Sequence, residues 1–239
     1  MARESAAQPP RWDHGHRDVS GGWLRPTVFG AVDGLVTNAA LIAGVGGGGV
    51  NRHAVILTGI AGLVAGAFSM GTGEYVSVTN QNELVAAEVE VERQMHVRFP
   101  EDEQIELEKR FASYGADAGT ARKMAAAVQS DPELAVRLHA RDELGIDPAG
   151  LPSAVLAGAA SLVAFSLGAL LPLLPYLLGL ASLLASMCVT GIALVAGGVF
   201  VGRLTGRPLA TSGIRQLALG AVAIAVTFGI GALVGTSVS

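Results

Sequence analysis

From Ser153 to Ser239 the chain carries three charged side chains, Arg203, Arg207 and Arg215, and no acid. So long a stretch with so little charge cannot be solvated as an ordinary domain, but it is well suited to crossing a bilayer repeatedly. A spanning helix needs about 20 mostly apolar residues. Three windows of that kind lie in this stretch, at 153–173, 176–202 and 215–237, and two more lie near the N-terminus, at 27–49 and 54–79. Gly46 to Gly49 separate the first pair, with Asn51, Arg52 and His53 at the turn; Pro172 and Pro175 punctuate the third and fourth, and Arg203, Arg207 and Pro208 the fourth and fifth. Between the second and third windows the character reverses: Asn80 to Gly150 holds fifteen acids and eight bases. The expected fold is an all-α membrane protein of five transmembrane helices, with a cytosolic helical insert between spans two and three. Its divisions are a polar tail (1–25), spans one and two (26–79), the acidic insert (80–150) and spans three to five (151–239).

Charge decides orientation and excludes some functions. Cytosolic flanks carry an excess of Lys and Arg. Arg11, Arg17 and Arg25 precede the first span, and Arg203, Arg207 and Arg215 lie between the fourth and fifth. The first loop has only Arg52, and neither the third-to-fourth loop nor the C-terminal tail is charged. The N-terminus and the insert are therefore expected in the cytosol and the C-terminus outside, in the cell membrane of a bacterium. The N-terminal tail lacks the apolar core of a signal peptide and is expected to end near Gly22. A net charge of −4 argues against nucleic acid as a partner. Cys188 is the single cysteine, so an internal disulfide is impossible. Glycine pairs four residues apart, Gly30/Gly34, Gly62/Gly66, Gly198/Gly202 and others, allow close helix approach in lipid.

Two acids interrupt the first two apolar windows. Asp33 lies about two turns into the first, followed by Thr37 and Asn38; Glu74 lies in the second, four residues after Met70 and so on the same helical face. An ionisable group in hydrocarbon is costly and usually functional. A carboxylate beside a thioether suits softer divalent transition ions better than Mg²⁺ or Ca²⁺.

The second span is expected to run on as a polar helix through NQNELVAAEVEVERQMHVRF, where Glu88, Glu92 and Met95 can share a face. Like charges at i,i+4 repel by a few tenths of a kcal/mol, and a cation between them reverses the sign. Pro100 opens a further helix with Glu103 and Glu106 at i,i+3; ADAGTARKMAAAVQS fits a third; Asp131-Pro132-Glu133 starts a fourth that carries His139, Asp142 and Glu143. Paired acids on several helices are a known arrangement for iron or manganese. Glu90, Glu101, Asp102 and Glu108 read instead as solvated surface.

These residues are similar to those of the vacuolar iron transporter family. HRDVSGGWLRPTVFGAVDGLVTN, AGAFSMGTGEYVSVTNQNEL, RDELGIDP, SLGALLPLLPYL and GRLTGRPLATSGIRQLALGAVAIAVTFGIG carry the resemblance, which extends from about His16 to Gly235. It implies a five-span homodimer that exports Fe²⁺, and also Mn²⁺, from the cytosol in exchange for protons, with no prosthetic group and the metal as both cargo and ligand of the insert. It implies that Asp33, Met70 and Glu74 lie on the transport path, to which Asn38, about one turn beyond Asp33, is added from its position. It also implies that Glu92, Glu103, Glu106 and Glu143, with Glu88 nearby, bind metal in the insert. Two positions depart from the family: Met95 stands where well-formed metal domains have a glutamate, and His139-Ala140 where some have two methionines. Both Met95 and His139 can ligate a transition metal.

Two other classes compete with transport. A membrane-tethered di-iron carboxylate enzyme would need Glu-x-x-His pairs, and neither His96 nor His139 has one, since positions 93 and 136 are Arg and Val. A metal-binding or regulatory membrane protein would leave Asp33 unexplained.

Overall fold

The computed structural model describes residues 22–143, 145 and 147–238. The N-terminal tail, with Arg11 and Arg17, lies outside the described residues. The chain forms α1 (Leu24–Gly47), α2 (Arg52–Arg98), α3 (Pro100–Ser113), α4 (Ala118–Gln129), α5 (Pro132–Glu143), a 3₁₀ turn at Pro148–Gly150, α6 (Ala154–Leu177), α7 (Leu183–Thr205) and α8 (Leu209–Val238). Among the described residues, five helices are long and apolar enough to cross a membrane: α1, α2, α6, α7 and α8.

Helix α2 is the longest element, with 47 residues. At about 1.5 Å per residue it is roughly 70 Å long, more than twice the ~30 Å hydrocarbon core. Asn51 caps its start by accepting from Ala54 N at 3.0 Å. It continues until Phe99, where Pro100 opens α3. The apolar half and the acidic half are thus one continuous rod, as the sequence pattern predicts.

Two boundaries differ from expectation. Pro172 and Pro175 do not end the third span; both lie inside α6, and the break comes at Gly179, with φ of +95°. A proline in a membrane helix is tolerated where neighbouring groups satisfy the backbone it disturbs. The carbonyls that lose their usual N–H donor are those of Gly168 and Leu171, four residues before each proline. Separately, Ser186 donates to the Pro172 carbonyl at 2.6 Å, and Arg52 donates through Nη2 and Nε to the Tyr176 carbonyl in the last turn of α6 at 2.8 and 3.1 Å. The fifth span begins at Leu209 rather than 215, immediately after Pro208, so Arg215 sits inside α8. A proline just before a helix is a start signal, and a long arginine stem can lie along apolar surface with its head in water.

Helix α6 packs between α1 and α2, while α8 joins α7 to α1. Small residues fix these approaches. Gly30 and Gly34 of α1 lie against the α6 backbone, and a Cβ at Gly30 would stand 2.8 Å from the Ser161 carbonyl oxygen. Phe165 fills the space beside Gly66 and forms a core cluster with Ala67 and Ala169. Gly198 and Gly202 lie against Ser212, and Gly231 against the Gly44 backbone. The glycine spacing is used for packing within the chain.

The short helices α3 and α5 pack on the polar half of α2, and α4 packs against α3 and α5. Leu107, Phe111, Ala121 and Ala125 form their core, with Val128 and Leu138 against it. Asp117 caps α4 by accepting from Gly119 N and Thr120 N at 2.9 and 3.2 Å, and Asp131 accepts from Leu134 N at 3.2 Å at the start of α5. Where the chain returns to the apolar bundle, Asn82 donates to the Pro152 carbonyl at 2.9 Å.

Candidate metal centre

Three helices bring four ligand-bearing side chains together. Glu92 and His96 lie one turn apart on α2, Glu103 on the first turn of α3, and His139 on α5. One potential ligand atom from each falls within 4.8 Å of all the others. His139 Nδ1 is 2.9 Å from Glu103 Oε2 and 3.6 Å from Glu92 Oε2; His96 Nε2 is 3.8 Å from Glu103 Oε2. The imidazole rings are tilted against each other with centroids 4.8 Å apart. Leu107 on α3 and Ala135 and Val136 on α5 are also buried.

Burial makes this arrangement costly without a cation. His96, Glu103 and His139 are 8%, 7% and 1% exposed. Both nitrogens of His96 and Nε2 of His139 have no hydrogen-bond partner, and the Gln129 side chain beside His96 does not reach hydrogen-bond geometry. A buried polar group without a partner costs about 1–3 kcal/mol. The titration behaviour follows from the same environment. Burial, then the Glu103 charge, raises the Glu92 carboxyl above its usual range. Burial and the His139 ring beside it lower His96. Glu143 is pushed up to about 7, by burial first, then by its hydrogen bond to Glu106 and the charges of Glu92 and Glu106. Such a cluster is poised to exchange protons for a metal ion, because ligands must be deprotonated to bind.

Glu106 and Glu143 lie beside the four-donor group rather than in it. Arg110 approaches both, at 3.8 Å, and Asp142 at 3.6 Å. Met95 is 38% exposed on the same helix; Glu88 is exposed and is not one of the four, although its charge contributes to raising Glu92.

In the apolar bundle Asp33 is half-buried on α1 and accepts from Thr37 Oγ1 at 3.3 Å. Asn38, fully buried, donates through Nδ2 to the Ala169 carbonyl of α6, while its Oδ1 has no partner. Met70 packs against the cluster of Ala67, Phe165 and Ala169. Glu74 is half-buried one turn further along α2.

The model of the VIT family matches residues 24–232, from the start of α1 to deep in α8. The chain belongs to the VIT family. It is 30% identical over 213 residues to vacuolar iron transporter 1 of Arabidopsis thaliana, covering 88% of this chain and 85% of the relative. It is 35% identical over 216 residues to vacuolar iron transporter homolog 1 of Oryza sativa subsp. japonica, covering 89% and 74%. Against vacuolar iron transporter homolog 3 of Arabidopsis thaliana the identity is 34% over 221 residues, covering 90% and 84%. Membership makes the chain a multi-pass membrane protein of metal-ion transport.

For this VIT family member, sequence reasoning named Glu92, Glu103 and His139 and missed His96. The signal was present, since Glu92 and His96 are spaced i,i+4. It was weighed only against the Glu-x-x-His pattern, which it fails. The spacing i,i+4 places two side chains on one helical face just as well as i,i+3.

Proposed function

We propose that the protein moves Fe²⁺, and also Mn²⁺, out of the cytosol across the membrane in exchange for protons. The observation that carries this reading is the pairing, in a VIT family chain, of buried metal-ligating groups on the polar half of α2 with carboxylates on its apolar half and on α1. In this reading the insert faces the cytosol and collects the ion. The ion then passes Glu74, Met70 and Asp33, with the Asn38 amide oxygen as a further acceptor, at the interface of two copies of the chain. Leu57, Ile60, Val64 and Phe68 form an exposed apolar side of α2 that a second copy or lipid would cover. A carboxylate that releases the ion takes up a proton, which provides the exchange without any redox chemistry.

The experiment is Fe²⁺ uptake into proteoliposomes under an imposed pH gradient, comparing wild type with Asp33→Ala. Gradient-dependent uptake lost in the variant is expected. Equal uptake in both would reduce Asp33 to a hydrogen-bonding partner of Thr37 and overturn the reading.

A further inference from the structure

We propose that Arg25, Arg203, Arg207 and Arg215 form a collar that binds the headgroups of anionic phospholipids, in the leaflet on the insert's side of the apolar bundle. The proposal needs only that the chain crosses a membrane, and is independent of which ion it moves. The packing places all four at one end. Helices α1 and α6 run parallel and in register, with Gly30 against Ser161, Gly34 against Phe165 and Asn38 bonded to the Ala169 carbonyl. They begin together, where Gly22 meets Pro152 and Asn82 of α2 donates to the Pro152 carbonyl. Helix α7 returns to that end after the turn at Gly179, and α8 leaves it after the turn at Gly206. Arg203 in the last turn of α7, Arg207 in the turn and Arg215 early in α8 therefore lie at the level of Arg25 and of the insert.

Charge complementarity decides the partner. All four arginines are exposed, and none has an ion pair or a side-chain hydrogen bond among the described residues. Other arginines of the chain are engaged: Arg52 holds the Tyr176 carbonyl at the opposite end, and Arg93, Arg110, Arg122 and Arg141 face carboxylates of the insert. No acid follows Ser153, so α7 and α8 supply no counterion of their own. A guanidinium fork matches phosphate oxygens, and α8 opens beside these arginines with the N-terminal N–H groups that favour an anion. Trp23, 46% exposed at the start of α1, is the aromatic residue expected at headgroup level. The insert, with fifteen acids against eight bases, is repelled by an anionic surface. The collar on α1, α7 and α8 offsets that repulsion and ties this end of the bundle to the headgroups.

The test uses full-length protein in detergent, titrated with dioleoyl-phosphatidylglycerol or dioleoyl-phosphatidylcholine and followed by native mass spectrometry. Wild type is expected to retain phosphatidylglycerol saturably, at a concentration at least about tenfold below that needed for phosphatidylcholine. The triple variant Arg203→Gln, Arg207→Gln, Arg215→Gln should lose this preference by about fivefold per arginine, the equivalent of ~1 kcal/mol each. Arg137→Gln removes the same charge from an exposed position on α5 and should leave the preference unchanged. Should the triple variant fold poorly by circular dichroism, Arg207→Gln alone, in the turn outside both helices, gives the same reading at about fivefold. Equal retention of the two lipids by wild type, or an unchanged preference in a folded variant, would overturn the proposal. So would a wild type that shows no lipid preference but forms dimers the triple variant loses, which would assign the arginines to the acidic insert of a second copy.

Discussion

Gly168→Ala tests the packing that positions Asp33. Gly168 lies where α6 meets α1, against the backbone of Ala31 and Leu35. A Cβ there would stand 2.9 Å from the Ala31 carbonyl carbon, 3.0 Å from Leu35 N, and closer still to the Ala31 carbonyl oxygen. Ordinary contact begins at 3.4 Å. The helices would have to separate by at least 0.5 Å to relieve the carbon alone, and no flexible side chain is available to yield instead. Overpacking of a well-packed core costs about 1–3 kcal/mol, and obstruction by backbone puts this case at the upper end. The Ala gains back about 1 kcal/mol in helix propensity, leaving a net loss of about 2 kcal/mol. Gly197→Ala in α7 is the matched control: nothing lies within 4 Å of its Cβ, so only the propensity gain of about 0.5–1 kcal/mol remains. The two variants should differ by about 3 kcal/mol in SDS-titrated unfolding followed by circular dichroism. Because the shifted backbone is that of Ala31 and Leu35, either side of Asp33, Gly168→Ala should also slow metal uptake. Equal stability of the two variants would show that α1 and α6 do not approach as described.

The metal-free insert should become more stable as pH falls from 8 towards 6.5 and then level off. Glu143, at about 7 in the folded chain against 4.5 when unfolded, binds its proton more tightly when folded, as does Glu92, so acidification favours folding. His96 is lowered from 6.5, so below that pH the unfolded chain binds its proton first and the gain is opposed. Thermal unfolding in chelator across this range checks the profile, and Glu143→Gln should flatten its upper limb. Asn38→Leu removes the bond to Ala169 together with an orphaned acceptor, so stability should change by no more than about 1 kcal/mol. Reduced Fe²⁺ uptake at that stability would place Asn38 on the ion's route, and full uptake would assign it to helix packing.

The five apolar helices and the unbroken α2 were legible because hydrocarbon imposes a single requirement, about 20 apolar residues per crossing, that the sequence displays directly. The ends of spans three and five were not. Pro172 and Pro175 read locally as breaks, yet α6 runs through both and the break comes at Gly179, with Arg52, distant in sequence, donating to the Tyr176 carbonyl. The insert shows the same limit. Glu103 and Glu106 look equivalent at i,i+3 in the sequence. Packing buries Glu103 against two histidines and leaves Glu106 beside Arg110. The i,i+4 spacing shows that His96 shares a face with Glu92, but its meeting with His139 depends on where α5 docks, which no local pattern encodes.

The continuity of α2 separates two jobs that composition alone would merge. Glu74 and Glu92 lie eighteen residues apart on one uninterrupted helix, a distance of about 27 Å at ~1.5 Å per residue. No ion can be held by both, so on the proposed route the insert and the membrane carboxylates act in sequence. Passage requires binding favourable enough to admit an ion and weak enough to release it. A largely buried site with two imidazoles would meet the first demand and strain the second, unless something competes with the metal. Protons can do so, because Glu92 and Glu143 hold them more tightly than free carboxylates. An ion entering the insert displaces protons there, and an ion leaving it restores them. The exchange proposed at Asp33 therefore has a counterpart at the insert end of the same rod, where local acidity would govern how readily the insert gives up its ion.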